Sequence, residues 1–192
     1  MAAWIRAGSV RLEAHEHFVK QTYRNRTSIY GANGKLDLIL PVDHRDLYSK
    51  PIQQVQLAAG HSWKNIHWRS IESAYRNSPY FDYYEAELKA VFDRPERFLF
   101  QWNLNMLRKI SELLEFNFNP VITTEYISQY PDEVTDLRKR FLPKHSPAGD
   151  FPVYSQVFMT GHGFISNLSV LDLLFNLGKE SNSYLLRLGD IT

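Results

Sequence analysis

The spacing of apolar positions along this chain changes repeatedly, and each change marks an element. Residues 1–7 (Met-Ala-Ala-Trp-Ile-Arg-Ala) read as helix, with Gly8 where a helix C′ residue stands. Two turns without an N-cap residue do not stand alone, so this start is expected to be the end of a longer helix. Over residues 9–13, Val10 and Leu12 alternate with polar neighbours, the period of a half-buried strand. Residues 27–30 and 35–42 predict two more strands, joined by Gly31-Ala32-Asn33-Gly34. Asn-Gly between strands is a hairpin signal because both residues tolerate positive φ, and Pro41 marks the strand end. Residues 43–50 read as a polar loop, and Ile52, Val55 and Leu57 predict a further strand over 52–58.

The period then becomes helical. Ser62 or His61 can cap a helix over 63–77, whose stripe is Trp63, Ile66, His67, Ser70, Ile71, Ala74 and Tyr75. Pro79 ends it, residues 80–92 form a second helical piece, and Arg94-Pro95 breaks that one. A long helix over 96–115 carries Phe98, Leu99, Trp102, Met106, Ile110, Leu113 and Leu114 on one side. Residues 120–124 are β-branched enough for a strand, and 132–141 predict a short charged helix. A proline-rich loop at 142–152 and an extended piece at 154–158 precede a last helix over 168–176. Asn167 is its expected cap, Gly178 its stop, and Asp172 faces away from Leu171 and Leu174 if the apolar face is the core. The tail to Thr192 reads as short. No repeat, low-complexity tract or linker interrupts the pattern, so residues 1–192 read as one domain.

One stretch stands apart from these periods. His15-Glu16-His17-Phe18-Val19-Lys20-Gln21-Thr22-Tyr23-Arg24-Asn25-Arg26 is polar apart from Phe18 and Val19. Between segments that read as buried strands, it is either a solvated loop or a face for an anion. Guanidinium groups give bidentate contacts to phosphate or carboxylate and lysine a mobile point charge, so Lys20, Arg24, Asn25 and Arg26 are candidate binding residues. The alternative is pairing with Glu13, Glu16 or Asp37 at the surface.

Composition narrows the classes. At 192 residues, 44% hydrophobic and 22% charged, the chain can bury a real core. A net charge of +1 supplies no basic field for nucleic acid. The lack of cysteine excludes disulfides, thiolate metal sites and a cysteine nucleophile. No apolar run approaches a membrane span, and Arg6 and Gly8 interrupt any signal-peptide core, so a cytoplasmic location is the default.

His15 and His17 share a face if extended, and with Glu16, His61 or His67 a metal site is conceivable, although no third ligand is fixed by spacing. His17 is the better candidate as a general base, because imidazole titrates near neutrality. His67 lies on an apolar stripe, where a satisfied core histidine is the commoner outcome; Arg69 is off it. Toward the end, Tyr154, Gln156, Asn167, Ser169, Asp172 and Asn176 form a second polar group. Asp172 and Asn176 share one helix face, and a buried carboxylate there needs a partner such as Arg26 or Lys20. That makes Asp172 either a structural ion pair or an active-site acid. Gly31 to Gly34 lacks the Walker pattern, so a turn is preferred to a phosphate loop. The aromatic run at 80–84 stacks on a ligand or joins the core.

Four stretches taken together carry a resemblance: HEHFVKQTYRNR at 15–26, GANGK…LILPV at 31–42, W…HWRSIESAY…SPYFDYY at 63–84, and Y.QVF….GFISNLSVLDLLFNLG at 154–178. They resemble the WbqC-like protein family over about residues 10–181. Lys20, Asn25 and Arg26 fit the shared pattern. Members usually open with a strand, a Tyr-Phe-Pro or Tyr-Leu-Pro motif and a helix, and this chain reads as starting inside that helix. Many relatives also carry a longer Gly-rich segment before the Tyr-x-Gln motif, whereas residues 119–152 are short here. The family occurs with bacterial surface-polysaccharide (O-antigen) synthesis functions, and an amino-acid (glycine) transferase role has been suggested for it. The opening of its members resembles nucleotide-binding Rossmann-like folds.

The expectation is therefore an α/β domain: a mixed, largely parallel, Rossmann-like sheet flanked by helices, with an antiparallel hairpin at 27–42. Two functions are carried forward. The first is a transferase in which Lys20, Arg24, Asn25, Arg26, Tyr154, Gln156 and Asn167 bind an anionic donor, such as a nucleotide or an activated amino acid or sugar. His17 or Asp172 then takes a proton from the acceptor. The second is a non-catalytic binding or assembly protein of the same pathway. No cofactor and no oligomeric state is assigned.

Overall fold

A computed structural model describes residues 1–43, 50–59, 62–143 and 150–188. The loop expected at 43–50 falls largely outside these, as does the alternative cap His61.

The hairpin forms as its alternation and turn require. Strand β2 (Arg26–Gly31) pairs antiparallel with β3 (Gly34–Ile39), from Arg26 opposite Ile39 to Gly31 opposite Gly34. Ala32 and Asn33 make the turn, and the positive φ falls on Gly34 at 96°. Ser28, Ile29 and Tyr30 are buried, so β2 is an interior strand, while β3 exposes Leu36 and Ile39.

The second sheet is small. Strand β1 (Arg11–Leu12) runs parallel to β4 (Val121–Ile122), with Arg11 opposite Val121 and Leu12 opposite Ile122. Beyond Leu12 the backbone ladder stops, because the Thr123 side chain takes over: its Oγ1 accepts from Ala14 N at 3.0 Å and donates to Glu13 at 2.9 Å. Among the described residues there are thus two two-stranded sheets, one parallel and one antiparallel. The architecture is mixed α/β, and a large, Rossmann-like parallel sheet is not seen among them.

Helices supply most of the core. Helix α1 (Ala2–Arg6) packs against α7 (Glu180–Arg187), and Trp4 stacks on Phe118. Helices α2 (Trp63–Tyr75), α3 (Phe81–Asp93) and α4 (Leu99–Leu113) bury stripes close to those predicted. Their aromatic rings interlock, with Trp63 against Trp102 at 4.9 Å and Phe92 against Trp102 at 5.3 Å. A short helix, α5 (Met159–His162), docks on the hairpin, where Tyr30 Oη donates to Gly163 O at 2.7 Å. Helix α6 (Val170–Leu177) is central: Phe175 is fully buried against Tyr75 and Phe81.

Several expectations fail for identifiable reasons. Residues 52–58 are not a strand: Ile52–Gln54 is a 3-10 turn, followed by isolated bridges from Gln56 to Phe98 and from Leu57 to Val42. The three-residue spacing of Ile52 and Val55 suits that turn. Residues 132–141 are turns. Arg138 folds back to Ile127 O at 2.8 Å and Asp136 at 2.6 Å, over the rings of Tyr126 and Tyr130, which holds the segment in turns. Helix α6 is capped by Ser169, whose Oγ accepts from Leu171 N, while Asn167 sits two residues earlier at φ 53°. Ser62 makes no side-chain cap on α2, and Ile66 points outward. Helix α7, where a short tail was expected, buries Tyr184 and Leu185.

Gly178 ends α6 at φ 58°, and a Cβ there would lie 2.8 Å from the Tyr80 ring. Gly178→Ala is expected to cost about 2–4 kcal/mol in urea denaturation, from left-handed strain plus displacement of that ring. Gly161→Ala, with open space around it, is expected to stay within about 0.5 kcal/mol of the parent.

Candidate functional site

A cavity of about 730 Å3 opens between β2 and β3, helices α1, α2, α4, α6 and α7, Phe92 near the end of α3, and the segment around Phe141 and Phe151. That volume lies in the range of small-molecule sites. Helices line it mainly with apolar side chains, among them Ile71, Trp102, Met106, Ile110, Leu173 and Leu185. Polar groups come from the two sequence-distant clusters and from Asn103, Arg140 and His67.

Of the candidate residues, Arg24, Asn25, Arg26, Tyr154 and Asn167 line this cavity. Their commitments differ. Arg24 grips Glu16 with two parallel bonds of 2.7 and 2.5 Å, so most of its charge is spent locally. Asn25 Nδ2 donates to Leu40 O at 3.0 Å and Leu40 N returns to Asn25 O at 2.8 Å, fixing the entry to β2. Arg26 is less occupied. Its nearest carboxylate, Asp37, is 3.5 Å away, and Asp37 already accepts from Ser28 Oγ at 2.6 Å. The buried Arg26 Nε has no hydrogen-bond partner among the described residues. Tyr23 lines the same corner, beside Arg26 and Asn167.

Other candidates lie elsewhere. Lys20 and His17 are exposed and outside the lining, with His17 bridged to Pro51 through its backbone. His15 meets Gln53 Nε2 at 3.3 Å. Among the described residues, no three His, Asp, Glu or Cys side chains gather as metal ligands would.

Asp172 overturns its expected orientation. It is fully buried, and no lysine or arginine among the described residues pairs with it. Tyr75 Oη donates to its Oδ1 at 2.9 Å, while Tyr154 Oη and Gln156 Nε2 donate to Oδ2 at 2.5 and 2.9 Å. Hydroxyl and amide donors satisfy the carboxylate without burying a second charge. Burial pushes the Asp172 carboxyl above its ordinary range, and the three donors oppose that push. Gln156 is buried too; its Oε1 accepts from Ile165 N and its Nε2 also reaches Ile165 O. Tyr75 Oη in turn accepts from Tyr30 N at 3.1 Å. The chain from β2 through α2 to α6 and the 154–165 segment is therefore continuous.

Burial first, and the Asp172 charge second, raise the Tyr75 and Tyr154 phenols, so both remain neutral donors. With its proton on Asp172, Tyr154 keeps oxygen lone-pair capacity at the cavity wall. Burial also pushes the Tyr184 phenol up to about 12. His67, read from the sequence as a core residue, is buried and lines the cavity as well. Burial lowers its pKa, against a hydrogen bond with the Ile39 backbone that raises it, so the imidazole is neutral. The only sequence signal for it was a histidine on an apolar stripe.

A model of the WbqC-like protein family matches residues 6–145. The chain belongs to the WbqC-like protein family. The Tyr154-to-Gly178 segment lies beyond that match. This WbqC-like chain is also similar to the uncharacterized protein Rv1507c of Mycobacterium tuberculosis, at 23% identity, covering 88% of this chain and 83% of that one. No solved structure matches it. No helix among the described residues is long and apolar enough to cross a membrane.

Asp172→Ala removes the acceptor of three buried donors and is expected to cost this WbqC-like protein about 3 kcal/mol or more in urea denaturation. Tyr75→Phe, which leaves the carboxylate two donors, is expected to cost about 1–3 kcal/mol. His67, with its pKa depressed by folding, contributes stability above the ordinary imidazole value of 6.5 and loses it as pH falls through the folded value. Asp172, with its pKa raised, acts in the opposite sense. Melting curves of wild type and His67→Gln are therefore expected to converge as pH drops below about 6.5.

Proposed function

We propose that this chain is a cytoplasmic transferase of bacterial surface-polysaccharide (O-antigen) synthesis, moving an aminoacyl or related group from an anionic donor held in the cavity. The reaction class comes through the family resemblance, and the anion site through the residues. One observation carries the latter: Arg26 lines a 730 Å3 cavity with a guanidinium that is only loosely engaged by Asp37. A phosphate or carboxylate there gains charge-assisted hydrogen bonds at little cost to the fold. Arg140 adds a second cation to the lining, and Asn167 and Tyr154 supply orienting polar atoms.

His17 and Asp172 fit proton transfer poorly, since one lies off the lining and the other is sealed behind Tyr154. We assign the proton to His67, a neutral imidazole on the wall, with Asp172 as the residue that positions Tyr154. The second reading, a non-catalytic assembly protein, draws support from Tyr83, which is 69% exposed and packs edge-to-face on Tyr84.

Thermal melting with nucleotides, nucleotide sugars and aminoacyl-adenylate analogues tests the proposal. A true donor at about 100 times its Kd is expected to raise Tm by about 5–10 °C, and Arg26→Ala is expected to erase most of that rise. If no compound in the panel moves Tm, the assembly reading takes its place.

A further inference from the structure

We infer that the cavity takes an amphiphile: a medium-length aliphatic chain carrying a single carboxylate or phosphate at its end. This narrows the donor of the reading above to an acyl-chain anion in place of a nucleotide or nucleotide sugar, and it rests on that reading for the anion at Arg26. The polar corner is compact. Tyr23, Arg26 and Asn167 line the cavity together where β2 begins, with the Asp37 carboxylate 3.5 Å from the Arg26 guanidinium. Away from that corner, α4, α6 and α7 present side chains such as Trp102, Met106, Ile110, Leu171 and Leu185 to the cavity.

The chemistry of the ligand follows from what those walls can satisfy. A sugar or nucleoside pushed into that depth would lose water from many hydroxyl and amide groups and find few partners, forfeiting roughly tenfold or more in affinity for each group left unpaired. An aliphatic chain loses nothing there and gains by leaving water. Its charged end stays at the corner, within reach of a guanidinium that lines the cavity and is engaged by Asp37 only at 3.5 Å. One anionic group suits the site better than several, because Arg24 is already held by Glu16 and Arg140, the other cation of the lining, is exposed, which leaves Arg26 as the main receptor.

Isothermal titration calorimetry on the full chain tests this. The ligands are acetate, hexanoate, octanoate, decanoate and dodecanoate, with inorganic phosphate, decyl phosphate and decanol for comparison, all below their micelle concentrations. Affinity is expected to rise about fourfold per added methylene until the chain fills the cavity. Acetate and inorganic phosphate are expected to show no measurable binding, and decanol to bind at least tenfold more weakly than decanoate. The stronger of decanoate and decyl phosphate identifies the head group. Arg26→Gln should bring decanoate down to the level of decanol. Met106→Trp should make the series level off at a shorter chain, with both variants verified as folded by their melting curves. A series without chain-length dependence, or a plateau that Met106→Trp does not shorten, overturns the inference while leaving the transferase reading intact. Equal binding of decanol and decanoate overturns it together with the anion site on which it rests.

Discussion

A carboxylate with no access to water depends on its donors, and the fold of this chain is arranged around supplying them to Asp172. The donors come from two separate places: Tyr75 from the end of α2, Tyr154 and Gln156 from the segment before α5. Taking any one away leaves part of a charge unsolvated in a low-dielectric interior, which is why such groups are held by complete networks. The network reaches further through Tyr30, whose N–H donates to Tyr75 and whose hydroxyl holds the Gly163 carbonyl. Ser169 N, donating to Ser28 O at 2.7 Å, ties the start of α6 to β2 beside it. Strand β2 and helix α6 are thereby locked in relative position, with Arg26, Thr27 and Ser28 of β2 and Asn167 and Ser169 just before α6 in the polar lining of the cavity.

This arrangement separates structural from available polar groups. In the early cluster, Arg24 is consumed by Glu16, its carbonyl by Asn103, and Asn25 by Leu40, so those residues build the wall they line. Arg26 is left with capacity. In the late cluster, Gln156 and Asp172 are interior scaffolding, whereas Tyr154 and Asn167 face the cavity. The Tyr154 hydroxyl, donating to Asp172 and accepting from Gln156 Nε2 at 3.2 Å, connects the scaffold to the surface a ligand would touch.

The parts of the fold legible in the sequence were those decided by local period and punctuation. The hairpin followed from alternation around a Gly-bounded turn, α2 to α4 from stripes three and four residues apart, and the end of α6 from Gly178. The rest depended on distant partners. The donors of Asp172 were not legible because they lie 97, 18 and 16 residues away, and a cation was expected in their place. The charged run around Arg138 resembled a helix because the carbonyls and rings that capture its guanidinium lie upstream. Helix α7 was hidden by Ser181, Asn182 and Ser183; it forms because Tyr184 and Leu185 find an apolar surface, and Tyr184 Oη bonds to Pro152 O. Grouping Arg26 with Tyr154 and Asn167 was possible from polarity alone, but separating them from Lys20, His17 and Gln156 required coordinates.

The most direct measurement of this account is a double-mutant cycle between Tyr75→Phe and Tyr154→Phe, read by urea denaturation at neutral pH. The two hydroxyls do not bond to each other; they share only the Asp172 carboxylate. Acting through one buried charge, they are expected to show an interaction energy of about 1 kcal/mol or more. Costs that add within about 0.3 kcal/mol would mean the carboxylate does not couple these segments, and would contradict the central place given to it here.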